Sequence, residues 1–336
     1  MNYIVFDLEW NQSPNGRAGE HPRMPFEIIE IGAVRLDEKL NMTGEFHKLI
    51  KPKLYPKFHK YIKAILNYDE KELKEKGVPF KEACTEFIQW CEEESEDGYI
   101  FCSWGPSDLS YLQNNMDFYY MQKLPYPLKF YDIQQIYAEK YSKDKSVCKL
   151  EKAVTRLKLK QDRPFHLAIN DAYYTARIMQ EGKLGQIADK YVYDTYRYPR
   201  KRSESIHDFH NGIFEEIYGE YKSKHEALKD SRITDIRCVK CGKLTTSQVK
   251  TFHVNNNTVI SVGSCPKHGR MLSTVKFKSA SESKDTLFAV KKIVAINKNK
   301  YTDVVKRKDQ LAQKKRERDS RNLTKKPIRR TGFVDE

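Results

Sequence analysis

The sequence predicts an α/β protein, a mixed sheet flanked by helices, followed by a small β-rich segment and a basic, partly helical or disordered tail. Three observations predict it. Three apolar runs rich in β-branched and aromatic residues open the chain, and further strands then alternate with stretches of helical spacing. Cysteines recur as matched knuckles in a β-rich stretch near residue 250. Residues 1–180 hold 26 Lys/Arg against 27 Asp/Glu, whereas the remainder holds 35 against 19, so the positive charge lies behind the α/β part.

In chain order, Tyr3–Trp10 reads as the first strand, 11–25 as a Pro- and Gly-containing loop, and Phe26–Leu36 as a second strand interrupted by Glu27 and Glu30. Thr43–Ile50 alternates and ends at Pro52, giving a third strand and an antiparallel meander. Residues 58–96 carry Phe80, Ala83, Cys84, Phe87, Ile88 and Cys91 at helical spacing. Tyr99–Ser103 reads as a strand, Pro106–Met116 as a helix and Phe130–Asp132 as a short strand. Ile133–Tyr141, Lys149–Leu157 and His166–Glu181 follow as helices. The expected division is therefore 1–185 for the α/β domain, 186–232 for a helical linker, 233–280 for the cysteine-bearing β unit and 281–336 for the basic tail.

Of 336 residues, 39% are apolar and 32% charged, enough for a core beneath a polar surface. The sequence has no apolar run of about 18 residues, so no membrane span is expected. The opening Met1–Asp7 reads as a strand rather than an export signal, and the cysteines outside the knuckles (Cys84, Cys91, Cys102 and Cys148) read as small buried hydrophobes. Together these give a cytoplasmic expectation.

Asp7 and Glu9 stand two apart on the first strand, so alternation projects both from one face while Phe6 and Leu8 take the other. Two carboxylates on one face of an apolar strand are costly unless a cation lies between them, and a hard divalent ion is the natural partner. The same spacing also fits a strand edge facing solvent. Asp108 opens a helix directly after a strand, where sites of open α/β sheets lie, though an acid in a first helical turn also serves the helix dipole. His166 and Asp171 are five apart, about 140° around a helix, so they share a site only if His166 precedes the helix that holds Asp171. Alone, His166 reads as an ordinary histidine.

Taken in order, Asp7-x-Glu9, Asp108 and His166-x-x-x-x-Asp171 resemble the DEDDh 3′→5′ exonuclease superfamily. Phe6-Asp7-Leu8-Glu9 looks like that family's first motif, and Pro25–Ala33 is similar to its second strand. Trp104-Gly105-Pro106-Ser107-Asp108 resembles the start of the helix bearing the third acid. The resemblance covers about residues 1–185, and Trp10 with Trp104-Gly105 looks closest to the histone-mRNA-type branch, although Asn11-Gln12 stands where that branch has Cys or Thr. The resemblance implies a ribonuclease H-like sheet. It also implies two catalytic Mg²⁺ or Mn²⁺ ions held by Asp7, Glu9, Asp108 and Asp171, with His166 taking the proton of the attacking water. The substrate implied is single-stranded nucleic acid, with RNA favoured over DNA. A DNA proofreading or repair exonuclease and a non-catalytic binding protein on a nuclease fold stand as the alternatives.

Cys238-Val239-Lys240-Cys241-Gly242 and Cys265-Pro266-Lys267-His268-Gly269 form two knuckles, each with two ligands three apart and a closing glycine. Around Asn255-Asn256-Asn257, strands Leu244–Val254 and Thr258–Val262 complete what looks like a zinc ribbon, with one structural Zn²⁺ held by Cys238, Cys241, Cys265 and His268. Such a unit is expected to need its metal in order to fold. Lys243, Lys250, Lys276 and Lys278 near Phe252 and Phe277, together with the tail, suit a single-stranded nucleic acid.

Overall fold

A computed structural model describes residues 1–66, 68–95, 97–182, 187, 189–279 and 286–324, without the side chains of 319 and 321–324. It divides into two units, Met1–Arg197 and Tyr198–Glu336.

The first unit runs β1 (Asn2–Gln12), β2 (Phe26–Leu36), β3 (Met42–Leu49), α1 (Lys60–Ile65), α2 (Glu70–Lys76), α3 (Phe80–Glu92), β4 (Tyr99–Ser103) and α4 (Ser107–Phe118). It continues with β5 (Lys129–Asp132), α5 (Ile133–Tyr141), α6 (Leu150–Arg156), α7 (Ala168–Glu181) and β6 (Val192–Tyr193). The strands lie in the order β3-β2-β1-β4-β5-β6. β1, β2 and β3 pair antiparallel, and β1, β4 and β5 parallel, which is the expected ribonuclease H-like mixed sheet.

Alternation along β1 divides the core into two layers. Tyr3 and Val5 pack with residues of α5, α6 and α7, while Ile4, Phe6 and Leu8 pack with residues of α3 and α4. Each such fully buried Val, Ile, Leu or Phe contributes about 1.5–3 kcal/mol. The carboxyl end of β1 therefore lies on the α6/α7 side when it reaches Asp7 and Glu9. The helical stretch expected over 58–96 is broken into α1, α2 and α3. Gly77-Val78-Pro79 interrupts it, with Pro79 at the N-cap of α3, because proline cannot continue a helix from within. The cysteines Cys84, Cys91 and Cys102 are buried as expected, and Cys148 is half-buried.

The second unit corrects the reading of two segments. Among the described residues of 186–232, expected to be a helical linker, the structure places β6, β7 (Ile206–His210) and β8 (Ile213–Tyr221), with a 3-10 turn at Arg202–Glu204 and the one-turn helices α8 (Lys224–Ala227) and, crossing the end of the segment, α9 (Ser231–Thr234). Charges of this segment are paired across strands. Glu216 Oε2 meets Lys291 Nζ at 2.8 Å and Glu215 Oε1 meets Lys292 Nζ at 3.1 Å. The β unit expected to stand alone over 233–280 supplies β9 (Thr246–Asn255), β10 (Thr258–Cys265) and β11 (Gly269–Ser279). These join β12 (Leu287–Ile296), a strand within the expected tail, in one sheet ordered β7-β8-β12-β11-β10-β9. α10 (Lys298–Thr324) follows. The tail's residues 325–336, like the proposed boundaries near 185 and 280, lie outside the described residues.

Candidate active site and thiol cluster

Glycine 32 sets the approach of α7 to the sheet. It pairs in register with Asp7, and a Cβ there would lie 2.0 Å from the Ile169 backbone nitrogen. The missing side chain lets the first turn of α7 rest directly on β2, which carries Asp171 to the end of β1. The segment before α7 is tied down as well. The Tyr174 hydroxyl donates to Arg163 O at 2.7 Å and accepts from Arg163 N at 2.8 Å, Asn170 Nδ2 donates to Pro164 O at 2.8 Å, and Phe165 stacks on Tyr174 at 4.6 Å. His166 then takes a left-handed φ of 62°, a conformation non-glycine residues seldom adopt outside specific turns, and α7 begins two residues later. It thus precedes the helix that holds Asp171, as a shared site requires.

One ligand atom from each of Glu9, His166 and Asp171 lies within 4.8 Å of the other two. Asp7 and Asp108 adjoin this group. Burial, then Asp108, Glu9, Asp171 and Glu30 in turn, push the Asp7 carboxyl well above its ordinary range. Burial first and Glu30 next raise Glu9 to about 9. Asp108, in the first turn of α4, is raised to about 7 by burial even though its own backbone N–H and that of Leu8 donate to it. Asp171 is raised to about 7 by burial against the N–H of His166, with Glu151 and Glu30 adding to the rise. Its Oδ1 is buried without a hydrogen-bond partner.

Two acids and a histidine beside this group lie outside the expected site residues. Glu30 is fully buried and pairs in register with Glu9; its Oε1 meets His47 Nε2 at 2.8 Å, while Oε2 has no hydrogen-bond partner. The signal for it was an acid inside the apolar run Phe26–Leu36, which becomes meaningful once β1 and β2 are paired antiparallel. Glu151 on α6 lies 3.6 Å from His166 Nε2, and no local motif marks it.

Among the described residues no lysine or arginine forms an ion pair with Asp7, Glu9, Asp108 or Asp171. Buried carboxylates gathered without a protein cation are unfavourable by themselves. Oxygen donors alone, including an orphaned one, fit a hard divalent ion such as Mg²⁺ or Mn²⁺.

The thiol cluster is assembled by turns of the second unit. Gly242 and Gly269 adopt φ of 69° and 79°, the left-handed conformation that closes each knuckle. Cys238 Sγ lies 3.5 Å and Cys265 Sγ 3.7 Å from His268 Nδ1, and Cys241 Sγ lies 3.8 Å from Cys265 Sγ. One atom from each of the four residues falls within 4.8 Å of the others. Desolvation raises Cys265, but the backbone N–H groups of Lys267 and His268 and the His268 ring outweigh it and bring the thiol down to about 6. Ile236, Met271 and Ile293 pack beneath the cluster, so it rests on the larger sheet rather than on a minimal ribbon.

Residues 4–179 match the RNase_T family, described as exonuclease. A Bacillus subtilis (strain 168) protein described as "Probable 3'-5' exonuclease KapD" is 30% identical over 128 residues, which cover 38% of this chain and 57% of that relative. The crystal structure of the nuclease domain of 3'hExo, a DEDDh family member, bound to rAMP is 18% identical, with a TM-score of 0.48 over 58% of this chain and 96% of that one. The zinc-bound form of E. coli ExoI in complex with single-stranded DNA is 13% identical, with a TM-score of 0.46 over 78% of this chain and 54% of that one.

Proposed function

The chain belongs to the RNase_T exonuclease family, and from that premise we propose that it hydrolyses single-stranded nucleic acid from the 3′ end, RNA in preference to DNA, releasing mononucleotides. The observation that carries this reading is the convergence of Asp7, Glu9, Asp108 and Asp171 in one partly buried place, with no lysine or arginine paired to them among the described residues. The 3′→5′ polarity is carried over from the Bacillus subtilis relative, and the RNA preference rests on the Trp10 and Trp104-Gly105 resemblance.

Asp7, Glu9, Asp108 and Asp171 would hold two Mg²⁺ or Mn²⁺ ions, which supply charge neutralisation on the phosphate and acidify a nearby water. The rest falls to side chains of this chain. His166 accepts the proton of the attacking water, a task for which an imidazole is suited near neutral pH. Glu151, 3.6 Å from Nε2, stabilises the ring once it is protonated. Attack of the water oxygen on phosphorus breaks the P–O3′ bond, leaving a 3′-hydroxyl on the shortened strand and a 5′-mononucleotide. Cys238, Cys241, Cys265 and His268 would hold one Zn²⁺, a set of four protein donors that suits a structural rather than a catalytic role.

The test uses the full chain with 5′-labelled single-stranded RNA and DNA, with and without Mg²⁺, beside Asp7→Ala. The expected result is a ladder shortening from the 3′ end, Mg²⁺-dependent and faster on RNA, and slowed on the order of 10³-fold by Asp7→Ala. Cleavage by Asp7→Ala at the parent rate removes the assignment. Elemental analysis should find one zinc per chain, lost in Cys238→Ser; a full complement of zinc in that variant would dismiss the cluster as its site.

A further inference from the structure

The sheet of the second unit carries α10 on one face. Tyr301, Val304 and Val305 pack with Val249, Ile260, Val262 and Leu272, which anchors the first turns of the helix. Beside this anchor a cavity of about 420 Å³ is lined by Phe252, Thr274, Lys276, Lys300, Asp303 and Arg307, among others. The register explains why these residues meet. Ile260 of β10 pairs with both Phe252 of β9 and Thr274 of β11, and Lys276 follows Thr274 on the same side by alternation.

Lys276, Lys300 and Arg307 are exposed, and none has an ion-pair partner among the described residues. Asp303 is the one acid among the lining residues. This distinguishes the groove from the β8–β12 part of the same sheet, where Glu216 pairs with Lys291 and Glu215 with Lys292. α10 adds to the imbalance, since its 27 residues include ten Lys/Arg and four acids. Past Leu311 its described side chains are exposed, and Lys314, Lys315 and Arg316 carry the positive charge on along the helix.

We propose that the groove between α10 and strands β9–β11 is a track for a single-stranded nucleic acid, in which Lys276, Lys300 and Arg307 take backbone phosphates and Phe252 takes a base by stacking. Cations at intervals beside an aromatic ring match the way a strand presents alternating phosphates and π-faces. A duplex hides its bases from such a ring. The proposal deepens the nuclease reading and rests on it for the class of ligand.

The experiment measures fluorescence anisotropy of a labelled 20-nucleotide single strand, as RNA and as DNA, and of a duplex of equal length, over a series of KCl concentrations. The full-length chain carries Asp7→Ala so that the strand stays intact. Adding Lys276→Ala, Lys300→Ala and Arg307→Ala together should lower the salt slope by about 2, from about 0.7 per phosphate contact. Phe252→Ala should weaken binding by roughly 5-fold or more with the slope unchanged. Thermal melts check that each variant folds, and the triple change involves only exposed side chains. An unchanged slope and affinity in the triple variant overturns the proposal, as does duplex binding as tight as single-strand binding. If the wild-type chain, with Asp7 restored, cuts nothing in Mg²⁺ while the triple variant still loses slope, the catalytic reading fails and the track stands.

Discussion

The chain contains two six-stranded sheets that treat charge in opposite ways. In the first unit, acids of like sign meet at the end of β1 with no lysine or arginine paired to them among the described residues, and burial raises their pKa values. In the second, Glu215 and Glu216 are more deeply buried than Asp7, Glu9 or Asp171, but face Lys292 and Lys291 on the neighbouring strand. Tyr218 O–H completes the latter pair by donating to Glu216 Oε1 at 2.6 Å. The difference separates two uses of a buried carboxylate. Cross-strand pairing with a lysine is part of how a sheet is held, whereas unpaired convergence is unfavourable until something from outside the chain arrives.

Three measurements bear on that comparison, beginning with the largest effect. Lys291→Met leaves Glu216 buried beside a neutral side chain, and equilibrium unfolding should show a loss of about 3–5 kcal/mol. A loss under about 1 kcal/mol would mean that the second unit's charges are not structural. His166→Ala should lower turnover by roughly 10²-fold with little change in melting temperature. A matching drop in stability would move His166 from chemistry to packing. Asp171→Asn should stabilise the metal-free protein at pH 8 by on the order of 1 kcal/mol. Asp171 titrates at about 7 in the folded chain, against about 3.9 for an unperturbed Asp. The folded state therefore holds this proton more tightly. The contribution is fully present below about pH 4 and is lost as pH rises towards 7 and beyond. Chelated wild-type protein should melt lower at pH 8 than at pH 5, with Mg²⁺ closing the gap. An Asp171→Asn variant no more stable than its parent at pH 8 would mean the acids are not strained.

What the sequence disclosed follows the range of the interactions. Asp7 and Glu9 were legible because alternation on one strand fixes their common face, and the cysteine knuckles because each closes within five residues. The opening strands were placed to within a residue or two for the same reason. Glu30 lay in plain view but acquires meaning only when β2 folds back on β1 and sets it opposite Glu9. Glu151 depends on α6 packing beside the segment before α7, which no periodicity announces. β8 was misread because Glu215 and Glu216 suggest solvent, and their partners lie more than seventy residues away in β12. β12 itself was hidden in a run of lysines that looked like tail, two of which are the partners in question.

Gly32 shows how little separates architecture from reactivity in the first unit. It bears no charge and donates nothing to a substrate, yet even a methyl group there would collide with the Ile169 backbone. α7 would then have to lift from the sheet, taking Asp171 away from Glu9 while every polar group of the cleft stayed intact. An inventory of acids would score such a protein as competent, and only the spacing between two backbones would reveal that it is not.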